Sequence, residues 1–306
     1  MKVRRPVILS ASRRTDLPGW HAQALAERLV AAKERLGPGG CYGLVLWTRF
    51  PAALLRPPLA PFLEPGAFPA VVVNLTITGL GGGKLEPRAP AVNEAVAPLG
   101  ELAERLGYPE RLRWRFDPLL PQQDLLDRFS RLADVFARLG VPTCTISFPA
   151  ERSLRGALGP RYRRFGVPEW PGSREDPSRS AEADILGSLW ERASPRGLSL
   201  LVCSQPWALA LCDGLRPAQC IPLDLLAKAH PPGALAPRSK DATQRKACLC
   251  PESEDLGDYR LDLCRTGCAY CYSTLGGPDP GETRPWFLRP GKPGGAPARG
   301  THLPGR

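Results

Sequence analysis

Three of the ten cysteines lie close together near the carboxyl end, in the run Cys264-Arg-Thr-Gly-Cys268-Ala-Tyr-Cys271. Three thiolates at this C-x3-C-x2-C spacing can each bind one iron of a cubane 4Fe–4S cluster and leave the fourth iron open. An open metal position can chelate a small molecule, as catalytic metal sites do. Gly267 permits the tight turn that a chain needs around such a cluster, because glycine adopts unusual dihedral angles. The spacing therefore predicts an iron–sulfur site with one vacant position.

The run also has an aromatic residue, Tyr270, directly before its last cysteine. With this residue, the motif resembles the cluster motif of radical S-adenosylmethionine (SAM) enzymes. The resemblance implies that the open iron binds the amino and carboxylate groups of SAM and that Tyr270 lies by the adenine. It also implies an enzyme that takes an electron from flavodoxin or ferredoxin. Such an enzyme cleaves SAM to a 5′-deoxyadenosyl radical, which abstracts hydrogen from an unknown substrate.

A second set of cysteines offers further metal ligands: Cys203, Cys220, Cys248 and Cys250. Two interpretations remain open for this set, a second iron–sulfur cluster or four scattered thiols. A third possibility is zinc held by Cys248, Cys250 and the three-cysteine run, since zinc binds four thiolates tetrahedrally. Iron–sulfur chemistry is favoured over zinc because the first pair is C-x-C, whereas zinc modules usually have paired C-x2-C. The remaining cysteines, Cys41, Cys144 and Cys212, are predicted to be buried thiols.

Six apolar, β-branched runs predict the strands that must position these cysteines. They are Val7–Ala11, Gly43–Thr48, Val71–Thr78, Leu112–Phe116, Thr143–Phe148 and Leu198–Ser204. Several are continuously apolar, which is typical of parallel strands buried on both faces. Helical patterns separate them, notably over Trp20–Leu36, Glu94–Leu106 and Leu125–Leu139. Alternating strands and helices predict an α/β fold, and six units are fewer than the eight of a closed barrel. We therefore expect a partial TIM-type (β/α)6 barrel with a C-terminal iron–sulfur cysteine segment.

The chain divides into three parts by composition. Residues 1–235 carry the strand and helix patterns, and residues 236–275 form the cysteine-rich, cluster-binding segment. Residues 276–306 are rich in glycine and proline, which predicts a disordered tail because such a composition buries little apolar surface. Within the first part, Glu151–Ser180 is rich in arginine and proline and is interpreted as a long loop.

Polar and charged side chains follow three of the predicted strands at the end where barrel enzymes place their chemistry. They are Arg13 and Asp16 after the first strand, Thr48 and Arg49 at the end of the second, and Arg115 and Asp117 at the end of the fourth. Of these, Arg13, Asp16, Arg115 and Asp117 are the predicted catalytic residues. Arginines there can bind a carboxylate or phosphate by paired hydrogen bonds. The structural alternatives are an ion pair between Arg115 and Asp117, and a helix cap made by Asp16. Trp114, near the end of the fourth strand, is expected to fill the interior.

A wider resemblance rests on several short segments. They are Ser10–Asp16, Leu46–Pro51, Trp114–Pro118, Lys240-Asp241, Gln244-Arg245, Cys248–Cys250 and Asp255–Gly257. With the cysteine run, they resemble an uncharacterised, mostly bacterial protein family whose C-terminal cysteine cluster is similar to that of radical SAM enzymes. The resemblance implies a radical SAM-like, TIM-type fold. One departure is clear, because radical SAM enzymes place the cluster loop after the first strand, and here it follows the sixth.

Composition and charge define the alternative function. The chain has 306 residues and a net charge of +11, from 41 basic and 30 acidic residues. A basic surface can bind phosphate-bearing partners. The alternative is therefore a non-catalytic nucleic-acid-binding protein, clamped by zinc or an iron–sulfur cluster, that uses Arg161, Arg163 and Arg164. No apolar run reaches the ~18–20 residues of a membrane span, so we expect no membrane partner and a cytoplasmic location.

Overall fold

A computed structural model describes residues 5–149, 158–168, 179–271, 285 and 287 of the chain. Most of the predicted loop Glu151–Ser180 lies outside these residues. The predicted tail 276–306 also lies outside them, apart from residues 285 and 287. The α/β class is confirmed, because one parallel sheet is combined with helices along the described chain.

The sheet of the described residues has eight strands in the order β7-β6-β5-β4-β3-β2-β1-β8. The strands are β1 (Val7–Ala11), β2 (Cys41–Thr48), β3 (Val71–Thr76), β4 (Leu112–Arg115), β5 (Thr143–Ile146), β6 (Ser199–Val202), β7 (Arg216–Pro217) and β8 (Glu254–Asp255). Every neighbouring pair is parallel. From β1 to β7 each strand pairs with the next one in the chain, so all their carboxyl ends meet at one edge.

Ten helices of the described chain connect and cover these strands. They are α1 (Leu17–Trp20), α2 (Ala22–Leu36), α3 (Pro51–Leu54), α4 (Val92–Val96), α5 (Leu99–Leu106), α6 (Leu125–Arg138), α7 (Leu158–Phe165), α8 (Ser180–Ala193), α9 (Pro206–Leu209) and α10 (Leu223–Ala227). Short 3-10 turns lie at Ala60–Leu63, Pro109–Arg111 and Ser194–Arg196. None of the helices in this part of the chain is long and apolar enough to cross a bilayer.

Alternate residues of the strands face two different apolar layers, as the two-residue period of a strand requires. In β2, Leu44 and Leu46 face the layer formed with the long helices. Val45 and Trp47 face the opposite layer, which contains the side chains of α10 and of Cys220 and Cys250. Both faces of the sheet are therefore covered, which confirms the interpretation of the continuously apolar strands.

Trp114 fills the helix-side core, as its position in β4 predicts. The side chain is fully buried. Its ring stacks on Phe136 with centroids 4.8 Å apart and on Phe129 with centroids 5.1 Å apart. The indole N–H donates a 2.9 Å hydrogen bond to the carbonyl of Ile77. This residue therefore ties β4 both to α6 and to the chain after β3.

Replacing Trp114 with alanine is expected to lower the free energy of unfolding by about 3–5 kcal/mol, because it opens a large cavity in the core. Urea unfolding followed by circular dichroism would measure this. The matched control is Val30→Ala, since Val30 on α2 is 47% exposed and its loss should cost less than about 0.5 kcal/mol. Similar midpoints for both variants would contradict the assigned core.

The structure corrects three sequence-based expectations. The sheet has eight strands rather than six, because β7 and β8 have two residues each and carry no periodic signal. The predicted helix over Glu94–Leu106 is two helices, α4 and α5, with Pro98 capping the second. Part of the predicted loop Glu151–Ser180 is helical, since α7 occupies Leu158–Phe165. In that helix Arg163 and Arg164 are exposed, whereas the side chain of Arg161 lies outside the described residues.

The cysteine-rich segment belongs to the same sheet as the rest of the chain. Its strand β8 pairs in parallel with β1, with Leu9 opposite Glu254 and Ser10 opposite Asp255. The Leu256 N–H then donates a 2.8 Å hydrogen bond to the Ser10 carbonyl. The segment that follows β8 is therefore placed beside the loop that leaves β1.

Candidate functional site

The three-cysteine run lies against the loops that follow β1 and β3. The Ala269 N–H donates to the Leu85 carbonyl over 2.9 Å. Thr15, after β1, donates its hydroxyl to the Asp262 carbonyl over 2.7 Å. Trp20, at the end of α1, donates its indole N–H to the Thr266 hydroxyl oxygen over 2.9 Å. These contacts hold the run at the carboxyl ends of the first strands.

The three cysteines of the run lie close enough to influence one another's pKa values. Burial raises the pKa of Cys264, and the neighbouring Cys271 raises it further. Burial also raises the pKa of Cys268 well above its usual value, against the opposing effect of the Arg49 cation. Cys271 and Cys264 both add to that increase. Metal binding to such thiols must displace their protons, because the thiolate is the ligand.

A buried network of Arg49, Glu86 and Tyr270 stands beside Cys268. The Arg49 Nη1 and Glu86 Oε2 atoms are 2.9 Å apart, and the Glu86 residue is 1% exposed. Arg49 Nη2 donates to the Tyr270 hydroxyl oxygen over 2.8 Å, and that hydroxyl donates to Glu86. Burial would lower the pKa of Arg49, but attraction from Cys268 and Glu86 raises it well above its usual value. Arg49 is therefore a fixed cation next to the cysteine run.

Asp16 joins the loops after β1 and β2. Its carboxylate accepts hydrogen bonds from the N–H of Gly19 (3.1 Å), the hydroxyl of Thr48 (2.7 Å) and the N–H of Arg49 (2.6 Å). The bond from Gly19 confirms the predicted cap of the first helix. Burial raises the pKa of Asp16, and these three bonds oppose the rise. The Asp16 backbone also hydrogen-bonds the Cys264 sulfur, so this residue positions the site.

The glycine-rich stretch after β3 closes on its own loop. Gly79 has a φ of +77°, which favours glycine. A Cβ on Gly81 would lie 1.8 Å from the Pro90 carbonyl oxygen, so only glycine fits there. The Thr78 hydroxyl donates a 2.7 Å hydrogen bond to Glu86 across this turn. The tight turn that these glycines permit places Glu86 beside Arg49. The same glycines line a small cavity next to the two side chains.

The other four predicted ligands form a second group, the cysteine quartet: Cys203, Cys220, Cys248 and Cys250. The Cys203 and Cys220 sulfurs are 3.7 Å apart. The Cys250 thiol interacts with the sulfurs of both Cys220 and Cys248. Cys220 and Cys250 lie in the apolar layer on the face of the sheet away from the long helices, and the other two thiols pack against that layer. The structure thus brings these four thiols together, apart from Cys268 and Cys271, which belong to a different apolar cluster.

Arginine side chains surround the quartet. Arg115 Nη1 donates to the Cys220 sulfur over 2.9 Å, and its Nη2 contacts Asp117. Hydrogen bonds from the Cys203 and Cys250 thiols, together with the Arg115 cation, hold the pKa of Cys220 well below its usual value. The pKa of Cys248 is lowered to about 5 by its hydrogen bond with Cys250, and Arg13 contributes to that change.

The predicted catalytic residues divide between the two cysteine groups. Asp16 lies with the three-cysteine run. Arg115 and Asp117 form the ion pair that was the structural alternative for them, and they lie at the quartet. Arg13 is 3.7 Å from an Asp241 oxygen and 5.9 Å from the centre of the Trp47 ring. Its Nε and Nη2 atoms are buried without a hydrogen-bond partner in the described part of the chain.

In neither cysteine group do the side chains converge as the ligands of one metal ion do. Within the described ranges, no group of three or more His, Cys, Asp or Glu side chains is arranged to hold one metal ion. The five-cysteine zinc alternative also requires Cys248 and Cys250 to join the three-cysteine run. The structure instead places these two residues with Cys203 and Cys220.

Sequence reasoning missed Glu86 and the contact made by Tyr162. Glu86 follows the end of β3 by ten residues, and no spacing connects it with Arg49. The Tyr162 hydroxyl, on α7, donates a 2.9 Å hydrogen bond to the Tyr270 carbonyl. This side chain lies in the segment that was interpreted as a loop. Leu158, Tyr162 and Phe165 lie at helical spacing, which was the available signal. The proline and the arginines among them favoured a loop instead.

The fold and site together define a class: an α/β protein with one parallel sheet and cysteines grouped at two places on it. The chain belongs to the family described as Domain of unknown function (DUF1848), whose family model matches residues 8–273. The match confirms the expected uncharacterised family and spans both cysteine groups. Among curated proteins, none matches this chain.

Proposed function

We propose that the chain is a radical SAM-like iron–sulfur enzyme whose 4Fe–4S cluster is held by Cys264, Cys268 and Cys271. The observation that carries this proposal is the gathering of these three thiols at the carboxyl ends of β1 to β3. When bound, such a cluster supplies the electron that cleaves SAM into methionine and a 5′-deoxyadenosyl radical, which abstracts hydrogen from an unknown substrate. A flavodoxin- or ferredoxin-type protein is the proposed reductant.

The residues present fit a cubane cluster better than a single ion. Each thiolate of a cubane binds its own iron, so the sulfurs surround the cluster and need not converge on one point. Gly267, between the first two cysteines, has a φ of +74°, as a tight turn requires. Cys268 is 4% exposed, so this ligand is shielded from water. The fixed Arg49 cation beside it would offset part of the negative charge of three thiolates.

Neighbouring residues would orient the ligands and tune their sulfurs. The Asp16 backbone hydrogen-bonds the Cys264 sulfur, and hydrogen bonds to ligand sulfurs influence the reduction potential of a cluster. Arg88 Nη1 donates to the Arg265 carbonyl and anchors the turn. The Tyr270 ring is held by Arg49 and Glu86, at the position that in radical SAM enzymes lies by the adenine.

The same edge of the sheet would admit the substrate. Because each strand from β1 to β7 pairs with the next, we interpret the sheet as a partial TIM-type barrel, whose chemistry belongs at the carboxyl ends of its strands. Arg13 lies there with two unpaired N–H groups among the described residues. An anionic group of the substrate is the partner that these donors would bind.

Anaerobic reconstitution with iron and sulfide, followed by dithionite and SAM, tests the proposal. We expect release of 5′-deoxyadenosine, detected by liquid chromatography and mass spectrometry, together with methionine in equal amount. Electron paramagnetic resonance of the reduced protein verifies that a cluster is present. A protein that shows the cluster signal and releases no 5′-deoxyadenosine would contradict the proposal.

A further inference from the structure

We propose that the cysteine quartet is a second metal site, which holds a thiophilic centre: either an iron–sulfur cluster or a zinc ion. Both are bound by thiolates, so the shared chemistry is four-sulfur ligation of a soft metal centre. The inference is independent of the proposed SAM chemistry, since it uses none of the residues of the three-cysteine run.

The first argument is the convergence of the four thiols from three separate parts of the chain. Cys203 directly follows β6, Cys220 lies after β7, and Cys248 and Cys250 precede β8. The 3.7 Å between the Cys203 and Cys220 sulfurs is close to the edge of a zinc tetrahedron, about 3.8 Å for Zn–S bonds of about 2.3 Å. Thiols that are buried only as small apolar side chains have no need to place their sulfurs this close together.

The second argument is that the backbone around the quartet is fixed. The Asn74 side chain, on β3, donates a 3.0 Å hydrogen bond to the Cys220 carbonyl. The Asp241 N–H donates to the Cys250 carbonyl over 3.0 Å, and the Cys203 N–H donates to the Ile146 carbonyl over 3.0 Å. The sulfurs therefore project from rigid positions, as the ligands of a metal site do.

The third argument is the charge around the sulfurs. Arg115 Nη1 lies 2.9 Å from the Cys220 sulfur, and Arg113, on the same face of β4, is 7% exposed. The Ile221 backbone hydrogen-bonds the Cys250 sulfur. Four thiolates around a divalent ion or a cluster carry net negative charge, and buried cations and N–H donors are the outer-shell partners that stabilise it. An apolar core of neutral thiols needs no such cations.

The four sulfurs do not yet point at one position. A change of side-chain rotamer moves a cysteine sulfur without moving the backbone. Cys203 and Cys248 are partly exposed, which leaves room for such a change, whereas Cys220 and Cys250 are buried. We expect metal loading to be accompanied by reorientation of these side chains. The ligands of a cluster, in contrast to those of a single ion, surround the cluster and each bind a different iron, so they need not converge on one atom.

The test starts from full-length protein in which the first site is removed by Cys264→Ser, Cys268→Ser and Cys271→Ser together. Purified without oxygen, this triple variant is expected to retain metal. The iron–sulfur arm predicts iron with an equal amount of acid-labile sulfide and visible thiolate-to-iron absorption. The zinc arm predicts about one zinc ion per chain and no colour. Adding Cys220→Ser and Cys250→Ser should remove this metal, whereas adding Cys212→Ser should not.

Alkylation of the triple variant tests metal binding by the quartet even if the variant with all five substitutions does not fold. With metal bound, iodoacetamide should leave the quartet unmodified until a chelator is added, while Cys41 and Cys212 react first. Two results would overturn the proposal. One is a folded triple variant whose iron and zinc contents are no higher than those of the variant that also carries Cys220→Ser and Cys250→Ser. The other is a disulfide between Cys203 and Cys220 in the anaerobically purified protein.

Discussion

Cys268→Ser is expected to reduce the yield of 5′-deoxyadenosine from SAM by at least about 100-fold. Loss of an outer-shell partner alone typically costs 10–100-fold in metal affinity or activity, and loss of a ligand should cost more. Cys268 is the most informative of the three cysteines because it is buried and lies beside the Arg49 cation. The measurement is 5′-deoxyadenosine per chain after reconstitution, with iron content determined on the same sample.

The matched control for this variant is Cys212→Ser. Cys212 is a partly buried thiol that packs against the helix-side core, away from both cysteine groups. This control should release as much 5′-deoxyadenosine as the parent protein. Thermal unfolding of both variants separates loss of the cluster from loss of the fold. If Cys268→Ser keeps full activity, the cluster assignment is wrong, whatever the iron content.

Glu86→Gln is expected to lower the free energy of unfolding by about 3–5 kcal/mol. The substitution keeps the shape of the side chain but leaves the buried Arg49 cation without its main carboxylate, and breaking one side of a buried ion pair costs about that much. Glu86 also accepts hydrogen bonds from Thr78 and Tyr270. Urea unfolding of the apoprotein measures the loss without involving any metal.

Tyr270→Phe is the comparison for Glu86→Gln, because it removes one hydroxyl from the same network and leaves the ion pair intact. The hydroxyl makes two hydrogen bonds, one with Arg49 and one with Glu86. Its loss should cost about 2 kcal/mol, at about 1 kcal/mol for each bond. Equal losses in the two variants would show that the ion pair adds nothing beyond hydrogen bonding. A loss below about 1 kcal/mol for Glu86→Gln would contradict the burial assigned to the network.

The class of fold was predictable because its signals are local. Continuously apolar strands such as β2 and β3 are recognisable within a few residues, and the cap made by Asp16 requires only the following helix. β7 and β8 were not predictable, because two residues carry no period and their pairing depends on partners far along the chain. Pro98 and His21 divided helices that apolar spacing alone presents as continuous.

In the candidate site, too, the features set by local spacing were predictable from the sequence, whereas contacts between distant residues were not. Spacing alone identified the three-cysteine run, and the count of the remaining thiols suggested the quartet. The structure shows that the quartet members are neighbours, although Cys203 and Cys250 are 47 positions apart in the chain. Glu86 was missed because its partner Arg49 is 37 positions away and belongs to another strand. Such pairs are specified by strand order, which sequence periodicity does not encode.

The pairing of β8 with β1 has a consequence for synthesis on the ribosome. β1 is translated long before β8, and its outer edge gains its partner only when residues 254 and 255 emerge. Until then that edge offers unpaired N–H and C=O groups, which invite association with other nascent chains. The quartet is likewise incomplete until Cys250 has emerged, and the three-cysteine run is incomplete until Cys271 has emerged. Metal loading of the two proposed sites would therefore wait for these late residues.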